Sequence, residues 1–172
     1  MNVKFDSVHR ELFKYWQLRS GRNKMPARAD FRPEDVPGIL KHLGLIDVVH
    51  RAKRMNFRYR LVGTRMNVIF GRDFTNTWLN ESKHGNYHDF LYALYCDAAG
   101  GSNLVYSETK FEYQGNRHLR VKRLMLPMSS DDQKVDMILF SNLFSSDDHD
   151  FGFRPYLPEE ILDFAEVHRI AA

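Results

Sequence analysis

The stretch that decides the fold is residues 57–75, Phe57-Arg58-Tyr59-Arg60-Leu61-Val62-Gly63-Thr64-Arg65-Met66-Asn67-Val68-Ile69-Phe70-Gly71-Arg72-Asp73-Phe74-Thr75. Its first half alternates. Phe57, Tyr59 and Leu61 fall on one side and Arg58 and Arg60 on the other, the two-residue period of a half-buried strand. The second half changes period: Met66, Ile69 and Phe70 recur at helical spacing. Gly63-Thr64 therefore turns strand into short helix, with Thr64 as the expected cap. Gly71 closes that helix at a position a side chain would obstruct, and Arg72 and Asp73 are placed to pair and pin the turn.

Upstream, Leu45–Val49 is a short apolar run joined to this strand through a polar hairpin loop, His50-Arg51-Ala52-Lys53-Arg54. Before it, Phe5, Val8, Leu12, Phe13 and Trp16 define a helix from about Ser7 to Leu18, with Asp6 to cap it and Gly21 to stop it. Pro33-Glu34-Asp35 reads as the first turn of a second, short helix that ends before Gly44. Downstream, Tyr87, Phe90, Leu91, Leu94, Tyr95 and Ala98 predict a helix over 87–99, ended by Gly100-Gly101. Strands follow at about 103–113, 118–128 and 134–144, linked by turn-rich connections. Pro158 then opens an expected terminal amphipathic helix carrying Ile161, Leu162, Phe164, Ala165 and His168.

Hairpins on both sides of a helical insertion predict an α+β fold. The expected architecture is a five-stranded antiparallel sheet with helices on one face, plus N-terminal and C-terminal helices. One compact domain is expected, with an N-terminal helical extension (1–44), a core (45–144) and a C-terminal loop and helix (145–172). A chain of 172 residues, 43% hydrophobic and 13% aromatic, can bury such a core without staples. Cys96 is the lone cysteine. It cannot form an internal disulfide, which favours a reducing, cytoplasmic setting. No apolar run approaches the roughly 18 residues of a membrane span, and no signal peptide opens the chain.

With this order of elements in place, the string Arg58-Tyr59-Arg60-Leu61-Val62-Gly63-Thr64, followed by Phe70-Gly71-Arg72-Asp73 and Thr75, resembles a family of small single-domain PAS-like proteins of alphaproteobacteria. Trp16, Met25-Pro26-Ala27-Arg28-Ala29-Asp30, Pro33 and Leu40 fit the same pattern. The resemblance covers roughly residues 10–140. Asn76 departs from it, standing where the family has glycine, and asparagine tolerates the left-handed turn required there. The resemblance implies the PAS fold and a bacterial sensory or regulatory module that takes part in signal transduction, not a reaction.

Catalysis finds no support in motifs. Gly100-Gly101 follows a helix instead of opening one, no nucleophile elbow is present, and the acids cluster only in loops. The enzyme expectation is therefore negative, with no catalytic residues. In PAS domains the ligand cavity lies between the long helix and the inner sheet face. Here its expected lining is Tyr59, Met66, Phe70, Phe90, Leu91, Leu94, Tyr95, Tyr106, Leu124 or Met125, and Met137, which suits a small, mostly apolar ligand or a plain closed core. Gly63, Thr64, Gly71, Arg72 and Asp73 are read first as turn-forming residues.

No cofactor is demanded and no metal site is assigned. Haem has one foothold, His88 near the start of the long helix, four residues after His84. His88 lies beside the apolar stripe and reads as a surface side chain. Cys96 lacks a flavin-type surrounding motif.

Charge is unevenly spread. Residues 1–72 hold 16 Lys and Arg against 6 Asp and Glu, and the remainder holds 9 against 16. The surplus sits in two loops, Arg19 to Arg28 and Arg51 to Arg54. It reads as solvated loops first, then an acidic protein partner, then nucleic acid, for which no motif is present. Val8, Leu12, Phe13 and Trp16 either pack on their own sheet or form a homodimer interface. The reading is a ligand-responsive regulatory protein acting through self- or partner-association. The alternatives are a ligand-free basic adaptor and a haem sensor.

Overall fold

The alternation in Phe57–Leu61 produces β2 (Met55–Val62), which pairs antiparallel with β1 (Leu43–His50). The computed structural model describes residues 3–52, 54–79, 86–101, 103–113, 117–146 and 161–171. The β1–β2 pairing slips between Leu45 and Ile46: Ile46 lies opposite Tyr59 but Leu45 opposite Leu61, leaving Arg60 as the extra residue of a bulge. A one-residue bulge swaps the faces of everything beyond it. Leu61 therefore leaves the side shared by Phe57 and Tyr59 and is 45% exposed, where the alternation alone had it buried. Arg58 and Arg60 both reach Asp47, at 2.6 and 3.5 Å.

The strand-to-helix turn falls at Gly63, which is itself the cap of α2 (Thr64–Phe70), so Thr64 is the first helical residue and not the cap. A Cβ on Gly63 would sit 2.5 Å from the Lys41 carbonyl oxygen and 2.6 Å from that of Leu43, so only glycine lets the chain pass. Gly71 ends α2 in the left-handed region at φ 67°. Asn76 also takes a left-handed φ, 65°, which explains how asparagine serves there.

α3 spans Asn86–Gly100, and β3 (Asn103–Tyr113), β4 (Arg117–Met128) and β5 (Met137–Ser146) follow. The last element overturns an expectation. Ile161–Ala171 is not a helix but a sixth strand, β6, paired antiparallel along β3 from Asn103↔Ala171 to Glu112↔Ile161. Its apolar residues fit a helical period and an alternating one about equally. The open edge of β3, a row of unpaired N–H and C=O groups, decides between them. The sheet order is β2-β1-β5-β4-β3-β6, six strands instead of five.

Helices cover both faces of this sheet, not one. Paired residues share a face, so the register assigns the sides. Phe57, Tyr59, Ile46, Ile138, Phe140, Met125 and Val105 face α3. Leu45, Leu139, Leu124, Leu126 and Tyr106 face the opposite way. There lies α1 (Ser7–Ser20), whose Trp16 Nε1 donates to the Pro127 carbonyl at 2.8 Å. Asp6 precedes α1 but makes no capping bond, its carboxylate accepting instead from Lys122 Nζ at 3.2 Å. The expected second helix reduces to separate 3₁₀ turns at Pro33–Asp35 and Leu40–His42.

Candidate functional site

Among the strands beneath α3, each apolar phase is broken by a polar residue. β3 places Ser107 and Thr109 after Val105, β4 places Arg123 between Val121 and Met125, and β5 places Asn142 after Phe140. The register aligns three of them. Ser107 pairs with Arg123 and Arg123 with Asn142, a polar row crossing three adjacent strands on the α3 side. All are buried: Ser107 is 0%, Arg123 1%, Thr109 2% and Asn142 9% exposed.

α3 brings phenols to this row. The Arg123 guanidinium donates to Tyr87 Oη at 2.9 Å and to Thr109 Oγ1 at 2.6 Å. Tyr95 Oη meets Tyr59 Oη at 2.9 Å, and burial, reinforced by Tyr59, pushes the Tyr95 phenol well up from its ordinary pKa. Tyr95 stays a neutral hydroxyl at any physiological pH. Asn142 Nδ2 points at Met66 Sδ, 3.4 Å away, while Asn142 Oδ1 and Ser107 Oγ have no hydrogen-bond partner among the described residues. A buried polar atom left without a partner costs about 1–3 kcal/mol, and such atoms ask what satisfies them. The arrangement offers a cation, hydroxyls and two open polar atoms within one helix–sheet interior.

Of the residues expected at this boundary, Met66, Leu91, Leu94, Tyr95 and Met125 do belong to the α3 side of the core, and Tyr59, Phe70 and Phe90 pack half-buried against it. Tyr106, Leu124 and Met137 lie elsewhere. Their register partners put them on the α1 side, where Tyr106 packs on Phe5 and His9 with ring centroids 5.5 and 5.7 Å apart. Ser107, Thr109, Arg123, Asn142 and Tyr87 were not anticipated. Polar residues in the buried phase of a strand were the signal, but only the register shows that they form one row.

The turn residues act locally. The Thr75 hydroxyl first, and then the Thr75 backbone N–H at 2.8 Å, donate to the Asp73 carboxylate and lower its pKa, and the Arg72 guanidinium lies 4.3 Å over the Phe74 ring. On α1, Leu12 and Trp16 are buried against the chain's own sheet, whereas Val8 and Phe13 are half-buried. His88 is buried, not on the surface: its ring stacks on Tyr92 and Nδ1 sits 3.0 Å from Asp89. His84 lies outside the described residues. Among the described residues no three His, Cys, Asp or Glu side chains gather to hold a metal ion. Cys96 is half-buried and burial raises its thiol pKa, so it is no ready nucleophile. No helix among the described residues is long and apolar enough to cross a membrane.

A family model described as PAS domain matches residues 4–141, a span that takes in α1 as well as the sheet from β1 into the first half of β5. No curated protein and no solved structure matches.

Proposed function

We propose a ligand-responsive form of the sensory or regulatory role for this chain, which belongs to the PAS-domain family. In this reading a small molecule enters between α3 and the sheet, and its polar end meets Ser107, Asn142 and the hydroxyls held by Arg123. The row of buried polar groups carries the reading, because two of its atoms lack partners among the described residues. It also changes the expected ligand. A mostly apolar molecule would leave Ser107 Oγ and Asn142 Oδ1 unsatisfied, so the ligand is amphipathic, with an apolar body against Leu91, Leu94 and Met66. Occupancy stabilises one packing of α3, and the protein acts by that change without chemistry of its own.

The outward signal in this proposal passes by association with a second copy or another protein. α1 spends Leu12 and Trp16 on its own sheet, which leaves Val8, Phe13 and the 75% exposed Leu18 for such a contact. A Leu18→Glu variant should then reduce the mass seen in light scattering. An unchanged mass would move the contact elsewhere.

The ligand is tested by native mass spectrometry of the protein as purified, then by thermal shift with small hydroxylated and carboxylated compounds. A compound at about 100 times its Kd stabilises by about 2.7 kcal/mol. The expected result is a shift that disappears in the Ser107→Val/Asn142→Leu variant. The reading falls if no compound shifts the transition and a high-resolution map shows only ordered water on Ser107 and Asn142.

A further inference from the structure

Away from the interior row, three segments distant in sequence enclose a cleft of about 460 Å³. The β1–β2 hairpin supplies His50, Arg51 and Arg54, the β4–β5 turn supplies Lys134, and the end of α3 supplies the backbone of Gly100. Bonds between and within the segments hold the frame. His50 Nε2 meets the Val135 carbonyl at 2.8 Å, the Arg51 N–H donates to the Arg54 carbonyl at 3.0 Å, and the Val48 N–H donates to the Asp136 carbonyl at 2.9 Å.

The charge of this cleft is one-signed. Arg51, Arg54 and Lys134 line it, and among the described residues no Asp or Glu does. The carboxylates of the adjoining turn are committed to backbone donors. Asp131 accepts from the N–H groups of Gln133 and Lys134 at 2.9 and 2.8 Å, Asp136 from that of Ser130 at 2.9 Å, and Asp132 from that of Met25 at 3.1 Å. Asp97, on the last turns of α3, pairs with Arg169. Three cations therefore line the cleft, beside carboxylates that are already hydrogen-bonded or ion-paired. The volume falls in the range of small-molecule sites, and Met55 and Val135 add an apolar wall.

We propose that this cleft binds a phosphate-bearing small molecule of about mononucleotide size. Arginine forks match phosphate oxygens in pairs, lysine adds a point charge, and a dianion gains most from three convergent cations. The cations also complement the C-terminal end of α3, whose last turn carries no basic residue. That role predicts loss of stability on neutralisation, whereas anion binding predicts loss of affinity. The site is independent of the interior row, so either can fail alone.

The test titrates the whole chain with adenosine monophosphate, adenosine and inorganic phosphate, by calorimetry and by amide shifts. Adenosine monophosphate should bind and perturb Arg51, Arg54, Gly100 and Lys134, with affinity falling as salt rises, and adenosine should not bind. Arg54→Gln/Lys134→Gln should weaken binding at least tenfold. Gly100→Leu keeps every charge but fills the cleft. A Cβ at Gly100 meets nothing within 4 Å, so this variant should fold and fail to bind. Inorganic phosphate binding as tightly as the nucleotide keeps the site and assigns it to the free anion. The proposal is overturned if adenosine binds as well as its monophosphate, or if Gly100→Leu binds it unchanged. It is also overturned if the double variant only lowers stability, or if only an acidic peptide or an oligonucleotide binds.

Discussion

The two faces of one sheet bury polar groups of different kinds. Under α1 the buried polar groups are uncharged, and the Ser141 hydroxyl and both His9 ring nitrogens have no hydrogen-bond partner among the described residues. Trp16 gives its indole N–H to Pro127, and His9, fully buried between the aromatic rings of Phe5 and Tyr106, is held uncharged with its pKa near 4. Under α3, Ser107 and Asn142 are left open beside a guanidinium and three phenols. Both faces keep polar atoms uncommitted, but the second gathers them in one row around the buried Arg123 guanidinium. Stability should therefore concentrate on the α1 side, and ligand response on the α3 side.

The largest test of that division is Trp16→Ala. Trp16 is 3% exposed, and its truncation opens a cavity under α1 and orphans the Pro127 carbonyl. Losses for such aromatic truncations run at about 3–5 kcal/mol, and urea unfolding should show a loss of that size. A loss below about 1 kcal/mol would mean that α1 does not close its face.

Next in size is the acid sensitivity of the same face. Burial is the chief cause that lowers the His9 pKa from 6.5 to about 4, with Lys122 and His42 adding to it against the opposing pull of Asp6. Below pH 6.5 the unfolded chain binds a proton that the folded chain refuses. The contribution is thus present in full above pH 6.5 and is lost as pH falls to about 4, in total about 3 kcal/mol. The lowered pKa of His42 acts with the same sign. Unfolding free energy measured between pH 7 and 4 should fall steeply, and less steeply in His9→Leu. Parallel curves for the two proteins would remove His9 from the account.

The α3 face should respond with the opposite sign. Ser107→Ala removes a buried hydroxyl that has no partner, so the empty protein should be unchanged or gain about 1 kcal/mol. A loss of more than about 1 kcal/mol would show that Ser107 is satisfied within the chain, and the contrast between the faces would weaken.

Legibility in the sequence follows the range of the interaction concerned. Residues whose neighbours in the chain decide them were readable: the period change at Gly63, the stripe of α3, the left-handed Asn76 and the hairpin loop at His50–Arg54. What depends on partners far away was not. β6 needed the vacant edge of β3, because its own residues fit two periods. The polar row needed the register of three strands to become one feature, and the separation of Tyr106 and Met137 from Tyr95 needed the same. α1 showed its apolar stripe, yet nothing local said that the stripe meets the far side of its own sheet.

The smallest effect concerns where the α1 face ends. Leu61 belongs to that face only because Arg60 bulges out of the β1–β2 register. Had the pairing continued regularly from Tyr59, Leu61 would lie with Phe57 under α3, and a charge there would be buried. With the bulge, Leu61 stands beside Leu45 at the outer strand of the sheet, 45% exposed. Leu61→Lys should therefore change unfolding free energy by no more than about 0.5 kcal/mol, the range of ordinary surface substitutions. Tyr59→Ala, one side-chain position away across the bulge, breaks the bond to Tyr95 and should cost several times more. Equal losses at the two sites would mean that Arg60 does not bulge in solution. They would also mean that the face on which Leu61 sits had been assigned to the wrong side of the sheet.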